Sequence, residues 1–207
     1  GELVATLALR QHPAFGQPLE SQLRSCLLGV WLCEEAGYDA ALRETVYWCA
    51  LLRYLGCTGH AHEVATVFGD EIAIRAQTLV HDPAEVMQDV IAFATAGHPP
   101  EAREQVIAAI HAGVHEWIVR NFNSGCEVGD MLAQRLRMGD DVRAALACTF
   151  ERWNGKGFPN GVSGTAIPLA MRIVHLTHDM EAIARLFSPQ KAIEAARDRR
   201  DRTYDPV

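Results

Sequence analysis

Apolar residues recur every three or four positions through most of the chain, and no useful run alternates at period two. The pattern predicts helices throughout. Leu23, Leu27, Val30 and Trp31 mark an inward face over 19–35. The segment 40–55 is apolar almost all round: Trp48, Leu51, Leu52 and Leu55 form one stripe, and Leu42, Val46, Cys49 and Arg53 another. A helix of that kind belongs at the centre of a bundle. Asp39 is placed to cap it and Gly56 to end it. Residues 63–79 read as helix with a break near Gly69 and Asp70, and His81, Asp82 and Pro83 open a helix reaching about Ala96. Beyond Pro99 and Pro100, a long helix buries Ile107, Ile110, Val114, Trp117 and Ile118. Ser124 and Glu127 have capping-box spacing, which predicts a separate helix turning Val128, Met131, Leu132 and Leu136 inward.

Asp140 and Asp141 start the next helix, and Val142, Ala145, Leu146, Thr149 and Trp153 continue at helical spacing into a glycine-rich loop. Asn154-Gly155, Pro159-Asn160-Gly161 and Ser163-Gly164 punctuate that loop with residues that tolerate positive φ. Trp153 and Phe158 are expected to pin it to the bundle. Pro168 then opens a helix with Leu169, Ile173, Leu176, Met180 and Ile183 in a stripe. The expected class is all-α, a helical bundle forming one domain over 1–207.

Composition narrows the picture. With 207 residues, 49% of them hydrophobic, the chain can bury one substantial core. Leu3–Leu9 has helical character but starts abruptly, and the tail after Arg202 stops as abruptly, so the chain reads as a piece of a longer protein. A net charge of −7 without a lysine/arginine stripe argues against direct nucleic-acid contact; Arg197–Arg202, broken by acids, reads as a solvated helix end. No apolar run suits a membrane span and no signal peptide is visible, so a cytoplasmic location is expected. Six cysteines scattered through helical patterns read as reduced buried thiols. No phosphate-binding Gly-Lys-Ser/Thr loop and no Gly-x-Ser-x-Gly elbow occurs.

Glu151-Arg152-Trp153-Asn154-Gly155-Lys156-Gly157-Phe158-Pro159, followed by Gly161, Gly164, Ile167-Pro168 and Arg172, resembles the signature of the HD-GYP phosphohydrolases. That family's pattern reads His-His-Glu-x-x-Asp-Gly-x-Gly-Tyr-Pro, a glycine-containing loop, Ile-Pro, and a helix beginning Ala-Arg-Ile. The resemblance implies an HD-type bundle whose histidines and aspartates hold metal ions against a phosphodiester. Carried onto this chain, the metal-binding positions fall on Ser21, Arg53, Tyr54, Gly125, Thr149, Phe150 and His178, of which only His178 is a ligand type.

The resemblance therefore implies a degenerate, non-catalytic sensory domain, like the first HD domain of bacterial LuxR-type regulators, with no metal cofactor. Its partners would be other domains of the same chain, a small-molecule effector or a second copy. The ligand cleft would be bordered by Arg53, Tyr54, Phe150, Glu151, His178 and Asp179. Arg53 would either pair there with Glu151 or Asp179, or snorkel to the surface. The alternative is a cyclic-dinucleotide phosphodiesterase holding a divalent transition metal on an atypical set, His60, His62, His178 and Asp179. His111 and His115 share a helix face but lack the order of a zinc-protease motif.

Overall fold

The computed structural model describes residues 6, 12–54, 56–68, 70–78 and 83–206. Helix α1 spans Ser21–Glu35 and α2 spans Ala40–Leu52. Asp39 caps α2 as expected, its Oδ1 accepting from Leu42 N at 2.9 Å. The helix ends at Leu52, with Arg53 as its cap.

The buried face of α1 is turned from the expected one, although Leu23 still packs against the core. Leu27 and Trp31 are exposed at 49% and 58%, while Gln22, Ser25, Cys26, Gly29 and Cys33 are buried. Close approach explains the difference. A Cβ on Gly29 would stand 2.8 Å from Val46 Cγ1, so small side chains are what this contact accepts. Gln22 uses its position in the interface to donate from Nε2 to Ala50 O at 2.6 Å and Leu51 O at 2.8 Å. Those carbonyls belong to the last turn of α2, which lacks partners within its own helix.

Helices α3 (Ala61–Phe68) and α4 (Glu71–Thr78) confirm the break near Asp70, whose Oδ1 accepts from Ala73 N at 2.9 Å. Helix α5 is Pro83–Thr95; the expected cap Asp82 lies outside the described residues, as do the segment 3–9 apart from Thr6 and the side chains of Val114, Trp117 and Ile118. Helix α6 runs unbroken from Pro100 to Arg135, roughly 54 Å at 1.5 Å per residue. No new helix starts at Ser124. Gly125 serves packing rather than termination: a Cβ on Gly56 would stand 1.9 Å from Gly125 O, so the turn after Tyr54 rests directly on the α6 backbone. Leu132 and Leu136 face the core as expected, but Met131 is exposed.

Helix α7 (Asp140–Leu146) leads into the glycine-rich loop, followed by α8 (Leu169–Leu186) and α9 (Pro189–Asp198). Ser188 caps α9 by accepting from Lys191 N. Helices α1, α2 and α8 pack mutually, with α7 on α2 and α9 on α8. Cys26, Cys33, Val46, Cys49, Leu51, Ala133, Met171 and Val174 form the dry centre. The expected stripe on α8 was too narrow. Ala170, Met171, Val174, His175, Thr177, His178, Asp179 and Ala182 are all buried, so polar groups enter the interior on this helix. Among the described residues there is no strand and no helix long and apolar enough to cross a membrane.

The loop is held by backbone more than by aromatics. Trp153 is only half-buried, short of the core position expected, and Phe158 is also half-buried. Phe158 N donates to Phe150 O at 2.9 Å, and the following Phe158–Pro159 bond is cis. Asn154 N donates to Arg202 O at 2.9 Å and Trp153 N to Thr203 O at 3.3 Å, so the carboxy-terminal tail straps the loop. Arg172 pairs with Asp205 beside it, its guanidinium 5.7 Å from the Trp153 ring.

Candidate functional site

Two residues at the end of α2, two on α8 and one on the loop converge beneath the bundle surface. Tyr54 is the hub. Its ring lies 6.4 Å from Phe150 and 5.5 Å from His178, and the Arg53 guanidinium carbon stands 4.7 Å from its centroid. The Tyr54 hydroxyl is 2.9 Å from His178 Nε2, and His178 Nδ1 is 2.9 Å from Asp179 Oδ1. Tyr204 Oη, from the tail, donates to Asp179 Oδ2 at 2.7 Å.

The direction of this chain of bonds follows from its acid end. An ionised carboxylate only accepts, so His178 Nδ1 carries the proton and Nε2 accepts from Tyr54. Burial, reinforced by the positive charge of Arg53, pushes the His178 pKa down to about 4, which keeps the ring neutral. Burial of Asp179 works against ionisation, but the bonds from His178 and Tyr204 outweigh it and hold its carboxyl below the usual range. Burial raises the Tyr54 phenol to about 12, so Tyr54 is a donor here and not a phenolate. Helix α8 carries a second neutral imidazole. His175 Nε2 reaches Cys148 O at 3.1 Å and Thr149 O at 3.0 Å, and burial followed by the charge of Arg152 places its pKa well below the ordinary value.

Arg53 follows neither expected course. It is buried at 6% exposure, so it does not snorkel, and among the described residues no carboxylate lies within ion-pair distance. Asp179 is committed to His178 and Tyr204. Glu151 is fully buried and accepts from Asn160 N at 2.8 Å through Oε1. Arg53 Nε and Nη1 and Glu151 Oε2 have no hydrogen-bond partner among the described residues. Arg53, Gly56, Gly125, Thr149 and Phe150 line one small cavity of about 10 Å³. Tyr54 and His178 line another of about 20 Å³ with Ser21 and Gln22.

The residues expected from the sequence are thus largely brought together: Arg53, Tyr54, Phe150, His178 and Asp179 form one cluster, with Glu151 beneath the loop. Lys156 and Asn154 are exposed on the loop, where Asn154 Oδ1 accepts from Lys156 N. Tyr204 and Gln22 were missed. Tyr204 lies in a short polar tail with no periodicity, and Gln22 on a face read as outward.

The family resemblance implies divalent metal at this place, and the donor set does not fit it. A guanidinium, a phenol bonded to His178, a hydroxyl of Thr149 committed to Leu146 O and a phenyl ring offer no anionic cage. Among the described residues no three of His, Cys, Asp and Glu converge as ligands. Of the atypical metal set, His62 is exposed and His178 and Asp179 are bonded to each other, while the His60 side chain lies outside the described residues. Exposed His111 is not part of the cluster.

Comparison with known proteins places this geometry. Residues 119–207, which hold α7, the loop, α8 and Tyr204, match the family model described as HD domain. That part of the chain is similar to the HD-domain family. The matched segment contributes Phe150, His178, Asp179 and Tyr204, while Arg53 and Tyr54 come from the part before it. The chain is 22% identical over 210 residues to the 3'3'-cGAMP-specific phosphodiesterase 3 of Vibrio cholerae, covering 99% of this chain and 45% of that protein. The crystal structure of a cyclic GMP-AMP-specific phosphodiesterase from V. cholerae superposes with a TM-score of 0.64 at 21% identity, over 98% of this chain and 44% of that one. The fold is therefore that of the matched part of this phosphodiesterase, and the chain spans a little under half the length of either relative. These relatives overturn the expectation of a non-catalytic sensory domain in a transcription regulator: the curated relative is an enzyme that cleaves a cyclic dinucleotide.

Proposed function

We propose that this chain is part of a phosphodiesterase acting on a 3'3'-cyclic dinucleotide. The observation that carries the reading is the likeness over 99% of the chain to a 3'3'-cGAMP-specific phosphodiesterase. The cluster under the loop supports it with suitable chemistry: a cyclic dinucleotide presents two anionic phosphodiesters and flat bases. The cluster offers a cation at Arg53, two of whose nitrogens have no partner among the described residues, and beside it the half-buried Phe150 ring. Divalent metal would supply water activation in such an enzyme. The residues described here do not fit that ion, so the role they support is reception and orientation of the nucleotide.

The test is hydrolysis of 3'3'-cGAMP by the complete gene product in buffer supplemented with manganese or iron, followed by chromatography of the linear dinucleotide. Turnover is expected, with a raised KM and a nearly unchanged kcat in Arg53→Lys. Absence of turnover with 3'3'-cGAMP and with its all-guanine and all-adenine counterparts would refute the proposal.

A further inference from the structure

The disagreement between the donor set and a metal leaves a buried cation to be explained. Arg53 is buried at 6% exposure and has two N–H-bearing nitrogens without partners among the described residues. Desolvating a guanidinium without a counter-charge is expensive, and buried polar groups are almost always satisfied. The Tyr54 ring face compensates only part of that charge. The cavity against Arg53 has about 10 Å³, the room of one oxygen atom, and is partly open to solvent. Its wall is built for close approach. Gly56, Gly125 and Gly129 bring three side-chain-free backbone positions to it, and the Gly56–Gly125 contact admits no Cβ at Gly56.

We propose that this cavity is an oxyanion site, in which one oxygen of a phosphate-type anion enters and accepts from an unpaired N–H of the Arg53 guanidinium while the remainder of the anion stays at the mouth. The guanidinium then binds without metal. Its directional donors suit an oxygen of a phosphate better than a spherical ion. The choice of a nucleotide as the natural source rests on the function proposed above; the anion chemistry does not.

Thermal unfolding in EDTA tests this, with sodium phosphate replacing chloride at constant ionic strength. In wild type the midpoint is expected to rise saturably by several degrees. Arg53→Met, which removes the unsatisfied charge, is expected to unfold in phosphate-free buffer at or above the wild-type midpoint and to lose the phosphate response. Arg53→Lys keeps the charge without the guanidinium and should bind phosphate at least fivefold more weakly. A second titration with 3'3'-cGAMP in EDTA identifies the source: a larger Arg53-dependent shift than inorganic phosphate gives assigns the site to a nucleotide phosphoryl group, and an equal shift assigns it to free phosphate. The proposal fails if Arg53→Met keeps the phosphate response, if Arg53→Lys binds as tightly as wild type, or if neither anion shifts the midpoint. A large drop of the Arg53→Met midpoint in anion-free buffer would also sink it, because the guanidinium would then already be satisfied within the fold. The phosphate arm reads out independently of turnover, so loss of the site and loss of the enzymatic reading are separate results.

Discussion

Tyr204 places its hydroxyl 2.7 Å from Asp179 Oδ2, twenty-five residues back in the chain, and so closes the polar chain that begins at Tyr54. The bond is to a buried carboxylate, and hydrogen bonds to charged groups contribute about 1.5–3 kcal/mol. Tyr204→Phe should therefore cost about that much in urea denaturation. It should also raise the Asp179 pKa, since one of the bonds holding the carboxylate is lost. An unchanged midpoint would show that the tail is only laid against the bundle.

Acid sensitivity follows from the two neutral imidazoles. His178 titrates near 4 in the folded protein against about 6.5 unfolded, and His175 is shifted in the same direction. The folded state thus binds fewer protons than the unfolded state between pH 6.5 and 4, and stability must fall as pH falls through that window. Each histidine contributes a slope approaching 1.4 kcal/mol per pH unit. Denaturation midpoints measured from pH 7 to 4.5 should decline steeply, with a shallower slope in His178→Gln. A flat profile would mean that these rings are already solvated.

Gln22 closes the end of α2 from outside it. Gln22→Leu keeps the volume and leaves Ala50 O and Leu51 O without that donor. Unpaired buried acceptors cost about 1–3 kcal/mol each. A loss of at least about 2 kcal/mol is expected by chemical denaturation; near-neutrality would show that water replaces the amide.

Gly157 lies against the backbone it must pass. A Cβ there would stand 2.4 Å from Glu151 Cα, a contact no side-chain rotation relieves. Gly157→Ala should cost about 1–3 kcal/mol or more and displace Phe158 from Phe150. Loss of the Phe158 amide's protection from exchange, with the core helices intact, is the expected signature.

The sequence made the helices legible and the faces less so. Asp39, Asp70 and Pro83 act locally, and caps of that kind can be read from a few neighbours. The turned face of α1 could not be read this way. Leu27 and Trp31 satisfy a periodicity rule, whereas the fit of Gly29 against Val46 depends on a helix distant in sequence. The capping-box pattern at Ser124 failed for a related reason: Gly125 answers to Gly56, nearly seventy residues earlier, and not to its own helix end. The site cluster was recoverable because the loop signature fixes where α2 and α8 meet. Tyr204 was not, since nothing in Arg202-Thr203-Tyr204-Asp205 marks its one phenol as buried.

The uninterrupted α6 is seated unevenly along its length. Toward its end, Gly125 carries the Gly56 turn and Ala133 is fully buried, but Arg103, Glu104, Gln105, Ala108 and Ala109 face solvent. That solvent-facing arm rests on α5 by one side only, and a helix so seated frays there long before its clamped end opens. Amides near 104–109 should exchange with solvent orders of magnitude faster than those near 130–135. Anything that grips the arm would then be felt at Gly56, two residues from the tyrosine on which the cluster turns.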